Sequence, residues 1–286
     1  MSGITRFAPS PTGYLHEGHL LSALYVWAAA DAFGLKIHLR IEDHDQSRAR
    51  PEYIRSIYED LKWFGFEYDS ESIQSNKNTL YERELERLKQ QGLVYPCFCS
   101  RKQLEAENPK SATGEIVYQG KCRALATPAG GPHNLRIIVP DETIHWHDTR
   151  LGDFDENPKL QCGDFPIRDR DMQWTYQFSV CVDDIDEGIT HIVRGEDIRS
   201  STARQIALMR MLGRDTPPVY LHHPLIVDTS GKKLSKRELA HSIRQDREEG
   251  VSPETLLGRV CFKAGLQPEN APLSLDTAIL LVKQAL

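Results

Sequence analysis

Apolar positions along this chain fall into short alternating runs and longer three-four repeats. Ile4–Phe7 reads as a short strand, and 20–33 (LLSALYVWAAADAF) is the longest mostly apolar run, read as a buried helix. It predicts a helix over 19–33, closed by Gly34. Residues 36–41 (KIHLRI) alternate as a second strand and end at Glu42-Asp43-His44-Asp45. Pro51 suits a first helical position, and Tyr53, Ile54, Ile57, Tyr58, Leu61 and Phe64 recur at three and four, which predicts an amphipathic helix over 51–64. A further helix is predicted over about 78–91 on Leu80, Tyr81, Leu85 and Leu88, with Gly92 as its stop. Strand, helix, strand, helix, helix is the order of a doubly wound, Rossmann-type α/β fold with a parallel sheet.

The rhythm breaks over 97–133, a stretch rich in Cys, Gly, Pro and Lys that reads as an insertion. Short strands are expected at 134–139, 143–147 and 161–166. The α/β alternation returns with 178–185 (FSVCVDDI), 191–197 (HIVRGED) and a helix from Ser200 to Leu212. A strand over 219–227 then leads into DTSGKKLSKRE, and the last fifty residues are helical and polar with a break at 267–272. The expected division is a first catalytic half over 1–96 and an inserted subdomain over 97–170. A second catalytic half follows over 171–215, then a lysine loop with a helical appendage over 216–286.

Composition narrows this picture only modestly. At 286 residues, 40% apolar and 27% charged, the chain is an ordinary globular protein able to bury a large core. The run 20–33 is too short to span a bilayer and follows no basic amino-terminal region. A cytoplasmic protein without membrane contact, read as a monomer, is expected. A net charge of −6 disfavours holding nucleic acid by bulk electrostatics but leaves room for a local basic face. Six cysteines in such a chain read as reduced thiols or metal ligands rather than a disulfide framework.

The loop between the first strand and helix, RFAPSPTGYLHEGHL, is where chemistry is expected. Ligands in open α/β sheets bind where a strand's carboxyl end meets a helix amino terminus. Pro9, Pro11 and Gly13 stiffen and turn the loop, and Gly18 lets a flat ring or phosphate approach the backbone. His16 and His19, three apart at the helix start, suit stabilisation of charge on a transferring phosphoryl group. Some 200 residues later, Lys232-Lys233-Leu234-Ser235-Lys236-Arg237 follows Gly231 as a cationic loop that suits triphosphate oxygens and departing pyrophosphate. A stiffened turn with surface histidines and a solvated lysine loop are the plain alternatives. Both pieces at the two ends of one split fold argue against them.

HEGH and KLSKR resemble the two signatures of class I aminoacyl-tRNA synthetases. The stretches RFAPSPTGYLHEGHL, LRIEDHDQSR, YQFSVCVDDIDEGITHIVRGEDI and LIVDTSGKKLSKR are similar to the glutamyl branch, in order from about residue 4 to 237. Glu17 departs from the family pattern at a usually apolar position. A glutamate pocket must hold two carboxylates and one ammonium, so it needs two cations and one anion. Arg6, Arg194 and Glu42 supply them at strand ends. The resemblance adds Ala8, Ser10 and Tyr176 to the glutamate site, with Arg6 expected on the side-chain carboxylate and Arg194 on the α-carboxylate. It further implies ATP, accompanied by Mg2+, as co-substrate bound at His16, Gly18, His19 and Lys236, with His16, His19, Lys233 and Lys236 catalytic.

Full glutamyl-tRNA synthetases carry a long anticodon-reading region after the lysine loop, whereas about fifty residues follow Arg237 here. The resemblance is therefore to the glutamyl-Q tRNA(Asp) synthetase family, which places glutamate on queuosine at the wobble position of tRNA(Asp). A truncated charging synthetase and a non-catalytic binding protein are the alternatives. Cys97-x-Cys99 with Tyr118 and Cys122 resembles that family's zinc site, expected to hold one structural Zn2+. Thiolate chemistry alone supports three sulfur ligands and leaves water or His133 open for the fourth position. His145-x-His147 reads as an exposed strand face, and Cys162, Cys181 and Cys261 as small hydrophobes. Arg101-Lys102, Lys121 with Arg123, the lysine loop, and Arg244 with Arg247 are the basic clusters available for RNA phosphates.

Overall fold

The structure is a computed structural model, described here for residues 2–124, 131–226 and 241–286. Strand β1 (Ile4–Phe7), helix α1 (Glu17–Phe33), strand β2 (Lys36–Ile41), helix α2 (Pro51–Phe64) and strand β3 (Ser70–Ile73) build the first half. The three strands pair in parallel in the order β1-β2-β3. Helix α1 starts two residues before its expected bound because His16 caps it, and Gly34 ends it in the left-handed conformation at φ 63°. Helix α3 (Asn78–Gln90) then leads to strand β4 (Val94–Cys97) and the short helix α4 (Arg101–Glu107).

Beyond them come β5 (Asn134–Ile137), β6 (Ile144–Asp148), β7 (Gly152–Glu156), α5 (Pro158–Gln161) and β8 (Pro166–Arg168). β4, β5 and β8 form a separate antiparallel sheet. The strand expected at 161–166 is instead a helical turn followed by β8. Asn157 caps the Lys159 amide, Pro158 takes the first helical position, and Gly163 turns the chain at φ 64°.

The second half contains α6 (Tyr176–Asp186), β9 (His191–Gly195), α7 (Thr202–Met211) and β10 (Val219–His223). The stretch 178–185 is helical, and Phe178 through Val182 are buried without a polar face. A short apolar run of that kind carries no period that separates a buried helix from a buried strand. β10 pairs in parallel with both β9 and β6, giving the order β7-β6-β10-β9. This sheet therefore takes in β6 and β7, from the stretch read as an insertion, and β10, which follows residue 215. The parallel β1–β3 sheet and this mixed sheet, in which β7 runs antiparallel to β6, adjoin at β1 and β9: the Thr190 amide donates to the Ile4 carbonyl at 2.9 Å, and Arg6 Nη1 donates to the Val193 carbonyl at 3.4 Å. Strand order reverses there, at the switch point where open α/β sheets bind ligands.

The chain closes with α8 (Ile243–Glu248), α9 (Pro253–Lys263) and α10 (Leu275–Lys283). Leu256, Leu257, Val260 and Cys261 of α9 and Ala278 and Val282 of α10 join one core with Leu20–Ala30 of α1. α1 is thus covered by the sheet on one side and the carboxyl-terminal helices on the other, which is why it lacks a polar face. A second core lies between α3, α6, α7 and the β6–β10 sheet. Among the described residues, no helix is long and apolar enough to cross a membrane.

Candidate active site

A cavity of about 700 Å³ opens at the switch point, lined by Ala8, Ser10, His16, His19, Glu42 and Tyr176 among others. These residues reach it from the β1–α1 loop, the start of α1, the end of β2 and the first turn of α6. Arg6 and Arg194 lie behind its wall on the adjoining strands β1 and β9, each about 4% exposed.

Backbone amides hold both histidine rings. His16 Nδ1 accepts from the Gly18 amide at 3.1 Å, and His19 Nδ1 accepts from the His16 amide at 3.1 Å. An Nδ1 that accepts a hydrogen bond carries no proton, so in each neutral ring the proton sits on Nε2, the donor position. Burial, reinforced by His16, pushes His19 down to about 3, so it stays neutral throughout the physiological range. The side of Gly18 that a Cβ would fill faces the His16 ring: a Cβ there would stand 3.0 Å from His16 Cε1. Glu17 turns away from the cavity and binds Arg259 and Lys263 of α9, each at 2.6 Å.

The cations differ in their partners. Arg6 Nε donates to Asp184 Oδ1 at 3.1 Å, and Asp184 also accepts from Arg40 Nη2 at 2.6 Å. Arg194 instead meets neutral groups: His222 Nε2 at 3.0 Å, Gln205 Oε1 at 2.6 Å and Thr202 Oγ1 at 2.9 Å. Among the described residues Arg194 has no carboxylate partner. Glu42 is buried, with Arg40 Nη1 at 3.5 Å. Burial pushes its carboxyl up to about 7, against the opposing pull of Arg40 and Arg6. Glu42 thus lines the cavity, while the two guanidinium groups lie buried on the strands beside it.

A second cluster forms at the end of β4. The ligand atoms of Cys97, Cys99 and Cys122, all buried, lie within 4.8 Å of one another. The Tyr118 hydroxyl stands 3.4 Å from Cys97 Sγ and 3.7 Å from Cys99 Sγ, and Cys99 Sγ is 3.5 Å from Cys122 Sγ. Tetrahedral sulfur ligands about 2.3 Å from one zinc ion would sit about 3.8 Å apart, so these donors fit such an ion with little movement. His133 points its Nδ1 at the Gly131 carbonyl at 2.9 Å and is not part of the cluster. Arg123 binds the buried Asp164 and ties this segment to the neighbouring sheet, so it is no free phosphate contact.

Lys233 and Lys236, with the rest of KLSKR, lie outside the described residues. His145 and His147 form the expected exposed face, paired with Asp155 at 2.5 Å and Asp153 at 2.7 Å. Cys162, Cys181 and Cys261 are buried thiols. Gln205, Thr202, His222 and Asp148 escaped the sequence reading. Their roles rest on pairing between strands and helices far apart in the chain, and the doublet His222-His223 was the only trace.

Fold and cavity together define a class I synthetase catalytic domain, and the family model for that domain, "tRNA synthetases class I (E and Q), catalytic domain", matches residues 4–276. The chain belongs to the glutamyl-Q tRNA(Asp) synthetase family, within that class. It is 44% identical over 248 residues to the glutamyl-Q tRNA(Asp) synthetase of Neisseria meningitidis serogroup C (strain 053442), covering 85% of this chain and 83% of that one. It is 36% identical over 298 residues to that of Nitratidesulfovibrio vulgaris, covering 98% and 92%. Among solved structures, the glutamate-tRNA synthetase of Elizabethkingia anophelis superposes with a TM-score of 0.79 at 29% identity. That likeness covers 99% of this chain and 66% of that chain.

Proposed function

We propose that this protein activates L-glutamate with ATP and transfers it to the queuosine base in the anticodon stem-loop of tRNA(Asp). The observation that carries the reading is a cavity lined by Glu42, His16 and His19, with the buried guanidinium groups of Arg6 and Arg194 on the adjoining strands β1 and β9. Glutamate sits with its ammonium on Glu42, its side-chain carboxylate on Arg6 and its α-carboxylate on Arg194. Ala8, Ser10 and Tyr176 shape the remaining wall. The relatives named glutamyl-Q tRNA(Asp) synthetase support the acceptor, as the pocket itself speaks only to the amino acid.

The α-carboxylate attacks the α-phosphorus of ATP, pyrophosphate leaves with its bonding electrons, and glutamyl-adenylate remains. Little proton transfer is needed, so positioning and charge stabilisation carry the step. His16 and His19 donate from Nε2 to phosphate oxygens as charge develops, from rings already fixed by backbone amides. Lys233 and Lys236 receive the departing pyrophosphate, and magnesium travels with ATP as part of the substrate. A queuosine hydroxyl then attacks the adenylate carbonyl, loses its proton, and releases AMP. Cys97, Cys99, Cys122 and Tyr118 hold one zinc ion, which supplies a structural cross-link in place of a larger local core. The protein works as a cytoplasmic monomer.

Radiolabelled glutamate supplied with ATP and purified tRNA(Asp), with and without queuosine, and with tRNA(Glu), tests the proposal. Label confined to queuosine-containing tRNA(Asp), and retained after the 3′ terminus is removed, is the expected result. Label on the 3′ end of tRNA(Glu) would make the protein a minimal charging enzyme instead.

A further inference from the structure

Arg194 is held by a side chain that is itself held. His222, at the end of β10, presents Nε2 to Arg194 Nε at 3.0 Å and Nδ1 to Asp148 Oδ2 at 2.7 Å. Asp148 ends β6, and both residues are fully buried. The Asp148 carboxylate also accepts the His222 amide at 3.0 Å, the Arg150 amide at 3.1 Å and the Leu151 amide at 2.9 Å. Burial would raise this carboxyl, but the bonds from His222 and the two turn amides outweigh it and keep it ionised. Burial likewise holds His222 below the usual histidine range in spite of Asp148. Trp146, with its ring centroid 5.8 Å from that of His222, and Tyr220 at 6.1 Å fix the ring plane.

We infer that Asp148 and His222 form a buried positioning relay that sets the Arg194 guanidinium for a substrate carboxylate while leaving its charge unspent. An ionised Asp148 accepts from Nδ1–H, which places the imidazole lone pair on Nε2, facing Arg194 Nε–H. A carboxylate set directly against Arg194 would hold it as firmly but cancel the charge the ligand needs. The interposed neutral ring transmits orientation only. Through β6, the stretch between the two catalytic halves thereby reaches the amino-acid pocket, a connection no local motif displays. The inference rests on Arg194 as the carboxylate holder proposed above.

The tautomer is read directly from imidazole 15N shifts of the unmodified protein. A protonated Nδ1 with a bare Nε2 is expected at His222, and the reverse tautomer or an imidazolium overturns the relay. Pyrophosphate exchange then separates ligand from fold. In His222→Phe the KM for glutamate should rise roughly tenfold or more with the KM for ATP within about twofold of wild type. His222→Gln, which keeps an acceptor near Arg194, should recover most of that loss. In Asp148→Asn one oxygen cannot serve both the ring and the turn amides; with that oxygen on the Arg150 and Leu151 amides, the NH2 faces Nδ1 and moves the ring proton to Nε2, so this variant should mimic His222→Phe. A folded His222→Phe with unchanged glutamate KM, or equal rises for both substrates, overturns the proposal. An unchanged glutamate KM in Arg194→Gln would instead strike the carboxylate reading of Arg194, and the tautomer result stands apart from it.

Discussion

Residue by residue, the pocket draws its properties from who pays the cost of burial. Glu42 is buried beside two arginines that are themselves engaged by Asp184, so its proton is held until about pH 7. A protonated Glu42 cannot balance an ammonium, so kcat/KM for glutamate in pyrophosphate exchange should rise with pH through an apparent pKa near 7 and level off above it. Glu42→Gln should flatten that profile at its low end. The same shift has a stability sign. The folded state keeps the proton to a higher pH than the unfolded chain, so stability falls as pH rises from about 4.5 through 7. Glu42→Gln should remove that fall, worth about 3 kcal/mol, as read by denaturant unfolding at pH 5 and pH 8. His19 cannot contribute to either limb, being neutral down to about pH 3. Replacing His16 or His19 with Ala should lower kcat of adenylate formation by about 10²–10³-fold, with little change in the KM for glutamate. Single-turnover kinetics distinguish that from lost binding.

At the level of elements, what could be read along the chain were those whose period or punctuation is local. β1, β2, α2 and α3 stand where alternation or three-four repeats place them, and Gly34 ends α1 as a left-handed stop. Arg6, Glu42, His16 and His19 were legible for the same reason, since each borders an element with a clear signal. α6 was not assigned, because a helix buried on all sides loses its amphipathic stripe. The union of β6 with β10 could not be read either: Asp148 and His222 are 74 residues apart and parallel pairing leaves no turn signature between them. The cluster of Cys97, Cys99 and Cys122, proposed above to hold zinc, is an element-scale device too. The short helix α4 has no buried residue, and the nearby core is small. Cys122→Ser should therefore lower bound zinc from one ion per chain to near none, and reduce the melting temperature by roughly 5–10 °C. Elemental analysis and calorimetry on the same sample check both parts.

Across the whole molecule, two halves of a parallel fold meet at one switch point, and the carboxyl-terminal helices pack back on the first of them. Glu17 is the polar part of that packing, bridging α1 to Arg259 and Lys263 of α9. Glu17→Ala would leave Lys263 without its carboxylate and Arg259 with Asp246 alone, and should cost about 1 kcal/mol by denaturant unfolding. Salt should narrow the difference from wild type. The apolar side of the same arrangement has its own consequence. α1 is shielded from water by α9 and α10 as much as by the sheet. A fragment cut before α8 would keep every described wall of the cavity yet bare a helix of Leu, Ala, Val and Trp. Such a fragment would be sticky rather than merely weaker, prone to self-association and precipitation, so these last helices behave as a built-in solubility sleeve for the catalytic helix.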